Sequence, residues 1–136
     1  MSRSKEFRVP TLMAAALAVA FAHVSLRLLG LRRSLRLVRS HTRGRVSEST
    51  ASQEAIRSAC RRVAKAAAFY PGRAECLEQS LAVHLLLRRR GVAAELRMGV
   101  RPSPFTAHAW IEYQGRPVNE TEDFIHQLTP FPSLGG

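Results

Sequence analysis

Two side chains in this sequence could share a proton: the thiol of Cys76, in AECLEQSLAVHLLLRRRG, and the imidazole of His108, in FTAHAWIEY. His108 lies between two alanines in an apolar, strand-like run, directly ahead of the chain's only tryptophan. Packed histidines are common in such runs, so His108 carries chemistry only if a nucleophile can reach it. Pro71 and Gly72 end one helical pattern a few positions before Cys76. A second pattern then runs from Leu77 through Leu81, Val83, Leu85 and Leu87 to a stop at Gly91. Cys76 is therefore expected at or near a helix N-terminus, where unpaired N–H groups and the positive end of the helix dipole favour a thiolate. Arg73 supports this charge, and Glu75 and Glu78 oppose it.

Cys60 has different surroundings. Ile56, Cys60, Val63 and Ala67 recur at helical spacing and mark one face of a preceding helix. Cys60 thus reads as a small buried hydrophobe. The two cysteines form no Cys-x-x-Cys pair and no His/Cys ligand cluster, and a cytosolic chain keeps its thiols reduced. Neither a disulfide, nor a metal, nor any other cofactor is expected.

The elements that must position these groups follow from the change of period after Gly91. Residues 92–100, VAAELRMGV, alternate as a strand with Ala94, Leu96 and Met98 on one face, and the loop RPSPFT leads to AHAWIEY. Gln114 and Gly115 make a turn, and RPVNE returns as the partner strand. The result is an α+β order in which a helix tip carries the thiol and a facing antiparallel sheet carries the imidazole. A cysteine–histidine hydrolase needs that arrangement. Trp110 shares the face of His108, as a shield against water or as plain core. His84 reads as a packed or half-exposed residue of its helix, and His23 and His126 have no partner pattern. Arg88, Arg89 and Arg90 read as a solvated helix end that complements the dipole, with a docking patch for an acidic peptide as the alternative.

At 15.1 kDa with 46% apolar residues, the chain can bury one core. Its net charge of +11 is unevenly placed: residues 1–45 hold ten Lys and Arg against one Glu, the remainder eleven against nine acids. The basicity belongs to an N-terminal arm, and nucleic acid is not expected as a partner. The apolar run at 11–30 and the following LRRSLRLVRSHTRGR read as a basic amphipathic helix within 1–45. The stretch SHTRGRVSESTAS, from Ser40 to about 52, reads as a linker, and 53–136 as the domain. A basic start, an apolar centre and Ala20-Phe21-Ala22 also have the order of a secretory signal. The leucine spacing continues past that site to Leu37 with arginines interleaved, which favours a single helix. His23 and Arg27 make it a poor bilayer span. Docking of residues 11–39 on a membrane surface or a partner protein, and packing on the chain's own domain, both fit. The expected location is the cytoplasm, with membrane association through the arm as the open alternative to its packing on the domain.

The stretch CLEQSLAVHLLLRRRGVAAELRMGV, followed by FTAHAWIEYQGRPVNE, resembles the stand-alone transglutaminase-like cysteine proteases that remove leader peptides in bacterial lasso peptide biosynthesis. The resemblance spans residues from about 50 to 125. It rests on the Cys-Leu opening of the helix, the Gly-Val of the next strand, and His-Ala-Trp-x-Glu with a glycine turn three residues later. It implies a papain-like or transglutaminase-like core with Cys76 as nucleophile and His108 as base. The third member falls on Glu120, where the family has an aspartate, so an extra methylene must be accommodated. The register leaves a choice: a two-residue Gln114-Gly115 turn puts Asn119 on the face of His108, and a three-residue loop puts Glu120 there. Asn119 is the alternative orienter and Asp123 an outside one. The implied reaction is hydrolysis of one peptide bond in a precursor (leader) peptide through a thioester. The implied partners are a separate leader-recognition protein and an ATP-dependent lasso cyclase. A backbone N–H near Cys76 is the oxyanion donor such a helix tip offers. Two rival readings are a weak or inactive peptide-binding module of the same fold, its triad broken at Glu120, and a membrane or nucleic-acid adaptor led by the basic arm.

Overall fold

The computed structural model describes residues 9–42, 44, 53–69, 76–102 and 105–130. Helix α1 (Leu12–Thr42) is opened by Thr11, whose hydroxyl accepts the Ala14 N–H at 3.1 Å. Gly30, at φ 80° and ψ 174°, leaves the helical region and divides α1 into two lengths. The Ser34 hydroxyl donates to the Gly30 carbonyl at 2.7 Å, and the Thr42 hydroxyl to that of Val38 at 2.7 Å. Ser40, His41 and Thr42, expected in a linker, are instead the last turn of α1. Of the remaining linker only Gly44 is among the described residues; the turn at Pro71-Gly72, with Arg73 and Glu75, lies outside them.

The inner face of α1 does not stand apart from the rest. Ala15, Val19, Ala22, Leu35 and Val38 belong to the same buried cluster as Ile56 and Val63 of α2 (Gln53–Phe69) and Leu81 and Leu87 of α3 (Cys76–Arg89). Helix α3 is the centre of the fold: every residue from Ser80 to Leu87 is buried. Helices α1 and α2 pack on it, as does the sheet, so it has no polar stripe to show. It ends in a Schellman turn, with Val92 N–H on the Leu87 carbonyl at 2.9 Å and Gly91 N–H on that of Arg88 at 3.1 Å. Gly91, at φ 89°, supplies the left-handed residue this turn requires.

Because that turn consumes residues 91 and 92, the first strand begins later than alternation suggests. The strands are β1 (Glu95–Pro102), β2 (Phe105–Tyr113), β3 (Arg116–Pro117) and β4 (Thr129–Pro130), with a short helix α4 (Glu122–His126) before β4. They form one antiparallel sheet in the order β3-β2-β1-β4, which makes the chain α+β as anticipated. Tyr113 faces Arg116 across Gln114 (φ 53°) and Gly115 (φ 77°), a two-residue hairpin turn with both residues left-handed. The return strand is far shorter than RPVNE: Arg116 and Pro117 pair with β2, the Val118 N–H adds one bond to the Ile111 carbonyl at 2.9 Å, and the Ile111 N–H then goes to the Asn119 side chain at 2.8 Å. Neither α4 nor β4 was anticipated from the sequence.

Candidate active site

Cys76 is the first residue of α3, where backbone N–H groups have no partner within the helix. His108 lies in the middle of β2, opposite Gly99 of β1. A methyl group on Gly99 would stand 3.1 Å from the Trp110 ring and 3.0 Å from the Thr129 carbonyl. Glycine there lets Trp110 and β4 approach the strand that backs His108. Trp110 is 1% exposed and donates its ring N–H to Glu112 at 3.1 Å, so it packs on the sheet face that also bears His108.

Glu120 comes to His108. Its Oε1 lies 2.6 Å from His108 Nε2, with both side chains mostly buried. An ionised carboxylate can only accept, so Nε2 donates and Nδ1 is left as the basic nitrogen. The extra methylene of glutamate is accommodated because the ladder gives out after the Val118–Ile111 bond, where Asn119 Oδ1 takes the Ile111 N–H, and residues 118–120 leave strand geometry. A regular continuation of the two-residue hairpin would have set Asn119 beside His108. Asn119 is occupied elsewhere: its Oδ1 accepts the Ile111 N–H at 2.8 Å, and its Nδ2 donates to the Ser80 hydroxyl at 3.4 Å. Asp123 is exposed on α4 and lines no part of the cleft.

Two contributors escaped the sequence reading. Phe124 meets the His108 ring edge-on, centroids 5.1 Å apart and planes at 85°, and so restricts its rotation. The signal was present, since Thr121 ahead of Glu122 and Asp123 is a helix start; its hydroxyl accepts the Phe124 N–H at 3.2 Å. Ser80 is the other: 1% exposed, it donates to the Ala109 carbonyl at 3.2 Å.

Cys76, His108 and Glu120 line a single cleft of about 650 Å³, walled on the far side by α2. Among the described residues no hydrogen bond joins the thiol to the imidazole; such pairs commonly tighten only around a bound substrate. Cys60 lies on the α2 wall of this cleft, only partly buried, where burial pushes its thiol up to about 11. Its thiolate is scarce at neutral pH, in keeping with a packing role. His84 is buried in α3 and His126 is exposed on α4. His23, given no partner from sequence, stands 4.0 Å from Glu78 in the first turn of α3.

A family model described as the transglutaminase-like superfamily matches residues 16–133. The Microcin J25-processing protein McjB of Escherichia coli is 33% identical over 57 residues, which are 42% of this chain and 27% of that protein. The chain thus matches little more than a quarter of that relative's length. No solved structure matches significantly. The family match begins inside α1, takes in the cysteine helix and the histidine hairpin, and ends beyond β4; the chain belongs to the transglutaminase-like superfamily.

Proposed function

We propose that this chain is a cysteine peptidase that removes the leader from a ribosomally made lasso peptide precursor. The observation that carries the reading is the Glu120–His108 pair, which frees Nδ1 as a base in the cleft onto which Cys76 opens. The similarity to a Microcin J25-processing protein supports the substrate class. In this reading His108 takes the Cys76 proton and the thiolate attacks the scissile carbonyl. The imidazolium, stabilised by Glu120, then protonates the departing amine of the core peptide. The leader remains as a thioester until water, deprotonated by His108, releases its carboxylate and restores the thiol. Backbone N–H groups at the start of α3 are the candidate oxyanion donors.

In the same reading, leader recognition falls to a separate protein and ring closure to an ATP-dependent cyclase, with all three in the cytoplasm. Precursor, leader-binding protein and this chain, incubated together and followed by mass spectrometry, test it. Cys76→Ala should abolish cleavage and Cys60→Ala should leave most of it. Equal loss from the two substitutions, or cleavage surviving Cys76→Ala, would defeat the assignment.

A further inference from the structure

Helix α1 is apolar on two opposite faces, and the fold uses only one. Ala15, Val19 and Ala22 point inward and are fully buried, while Met13, Leu17, Val24 and Leu28 lie on the outer face at 70%, 64%, 49% and 76% exposure. A helix that only completes a core places its large apolar residues inward and polar ones outward. Here the alanines face the domain and the bulky side chains face solvent. Toward the C-terminal end, Arg27, Arg32, Arg33 and Arg36 are exposed, and no Asp or Glu occurs anywhere from residue 7 to 47. An apolar cavity of about 650 Å³ opens between the two lengths of α1 and the end of α3. Leu17, Phe21 and Leu37 line it together with His41, Arg89 and Arg90.

We propose that the chain docks on the surface of an anionic membrane through this outer face of α1. The helix lies in the plane of the interface, its apolar ridge among the acyl chains and its arginines on lipid phosphates. Charge complementarity selects this occupant: a bulky apolar ridge continued by unopposed cations matches a negatively charged leaflet, which supplies both an apolar layer and phosphates. The helix passes for a membrane span by length and composition, with a mean hydropathy of 1.9 over its most apolar stretch. Spanning would strip Ala15, Val19 and Ala22 from the core they fill, and Gly30 breaks the helix besides. Lying on the surface keeps the inner face packed. The proposal is independent of what the cleft hydrolyses.

The test is co-sedimentation of the full chain with vesicles of phosphatidylcholine, with or without about a third phosphatidylglycerol. Binding to the anionic vesicles should be at least about tenfold stronger and should weaken as salt is raised. Leu17→Asn with Leu28→Asn, and separately Arg32→Gln with Arg33→Gln, should each lower it about tenfold while the cooperative thermal transition persists. If the leucine pair unfolds the chain, the arginine pair, on exposed side chains, decides alone. Absence of vesicle binding, or binding indifferent to anionic lipid, overturns the proposal. So does binding that survives alkaline carbonate, which would mean a span. Self-association in vesicle-free solution that is abolished by the leucine pair, with no lipid binding, would identify the face as a contact between copies and overturn it too.

Discussion

The Ser80 hydroxyl donates to the Ala109 carbonyl across 3.2 Å, joining the helix that begins at Cys76 to the strand residue next to His108. Ser80 lies one helical turn beyond Cys76, on the same side of α3. The same hydroxyl receives the Asn119 amide at 3.4 Å, and Asn119 holds the Ile111 N–H at 2.8 Å. Helix α3, strand β2 and the segment ending in Glu120 therefore meet at one buried oxygen. The three candidate catalytic groups hang from the three segments so joined.

Ser80→Ala should lower kcat for precursor cleavage roughly tenfold with KM nearly unchanged, since misplacement of about 1 Å costs up to ~100-fold. Ser80→Thr, which restores a hydroxyl, should recover part of it. Steady-state kinetics on the folded fraction separates positioning from mere stability. A kcat per folded molecule equal to wild type would mean that Ser80 only holds the fold together.

Replacing Glu120 by Gln keeps an acceptor for the imidazole N–H but removes the charge that stabilises imidazolium. Activity should fall by about 100-fold or more, and by less than in His108→Ala, which has no proton carrier. Asn119→Ala should act mainly through stability, because it leaves the Ile111 N–H unpaired at a cost of about 1–3 kcal/mol. A silent Glu120→Gln beside a crippled but stable Asn119→Ala would transfer the orienting role to Asn119.

The two thiols should differ sharply in reactivity. Burial raises Cys60 from 9.0 to about 11, so at mildly alkaline pH its thiolate should be about 100-fold scarcer than in an unperturbed cysteine. Time-resolved alkylation with iodoacetamide, read by peptide mass spectrometry, should find Cys76 modified well before Cys60. Modification of Cys60 at the pace of a free thiol would contradict the burial argument.

The cysteine helix and the histidine strand were legible because their signals are local: a glycine stop, a helical period and an alternating run. The choice between Glu120 and Asn119 was not, because it depends on where the hairpin ladder ends. The turn has the two residues that favoured Asn119, yet the Asn119 side chain takes the Ile111 N–H, the ladder ends there, and the chain turns Glu120 to the ring. Ser80 was invisible for a related reason, since a serine in a leucine-rich helix shows its value only when a strand carbonyl is packed against it. The two residues of β4 are too short to register as a pattern. In α1, both faces of the first length are apolar, so periodicity could not say which one the core would take.

His84 should make the fold sensitive to acid. It is 2% exposed within α3, neither ring nitrogen has a well-formed hydrogen bond among the described residues, and the nearby Ala94 backbone favours the proton less than its surroundings oppose it. Burial above all, with Arg88 and Arg39 adding repulsion, pushes its pKa from 6.5 down to about 3. Between those values the unfolded chain binds a proton that the folded chain refuses. The histidine's neutral burial is thus without penalty above pH 6.5 and costs stability as pH falls below it, until the folded group titrates near 3. The slope is at most about 1.4 kcal/mol per pH unit, so lowering pH from about 7 to about 5 should cost roughly 2 kcal/mol. His84→Leu replaces the group by one that never titrates and should remove that share of the loss. Urea unfolding of both proteins at the two pH values measures it, and parallel losses in wild type and variant would show that the acid sensitivity arises elsewhere.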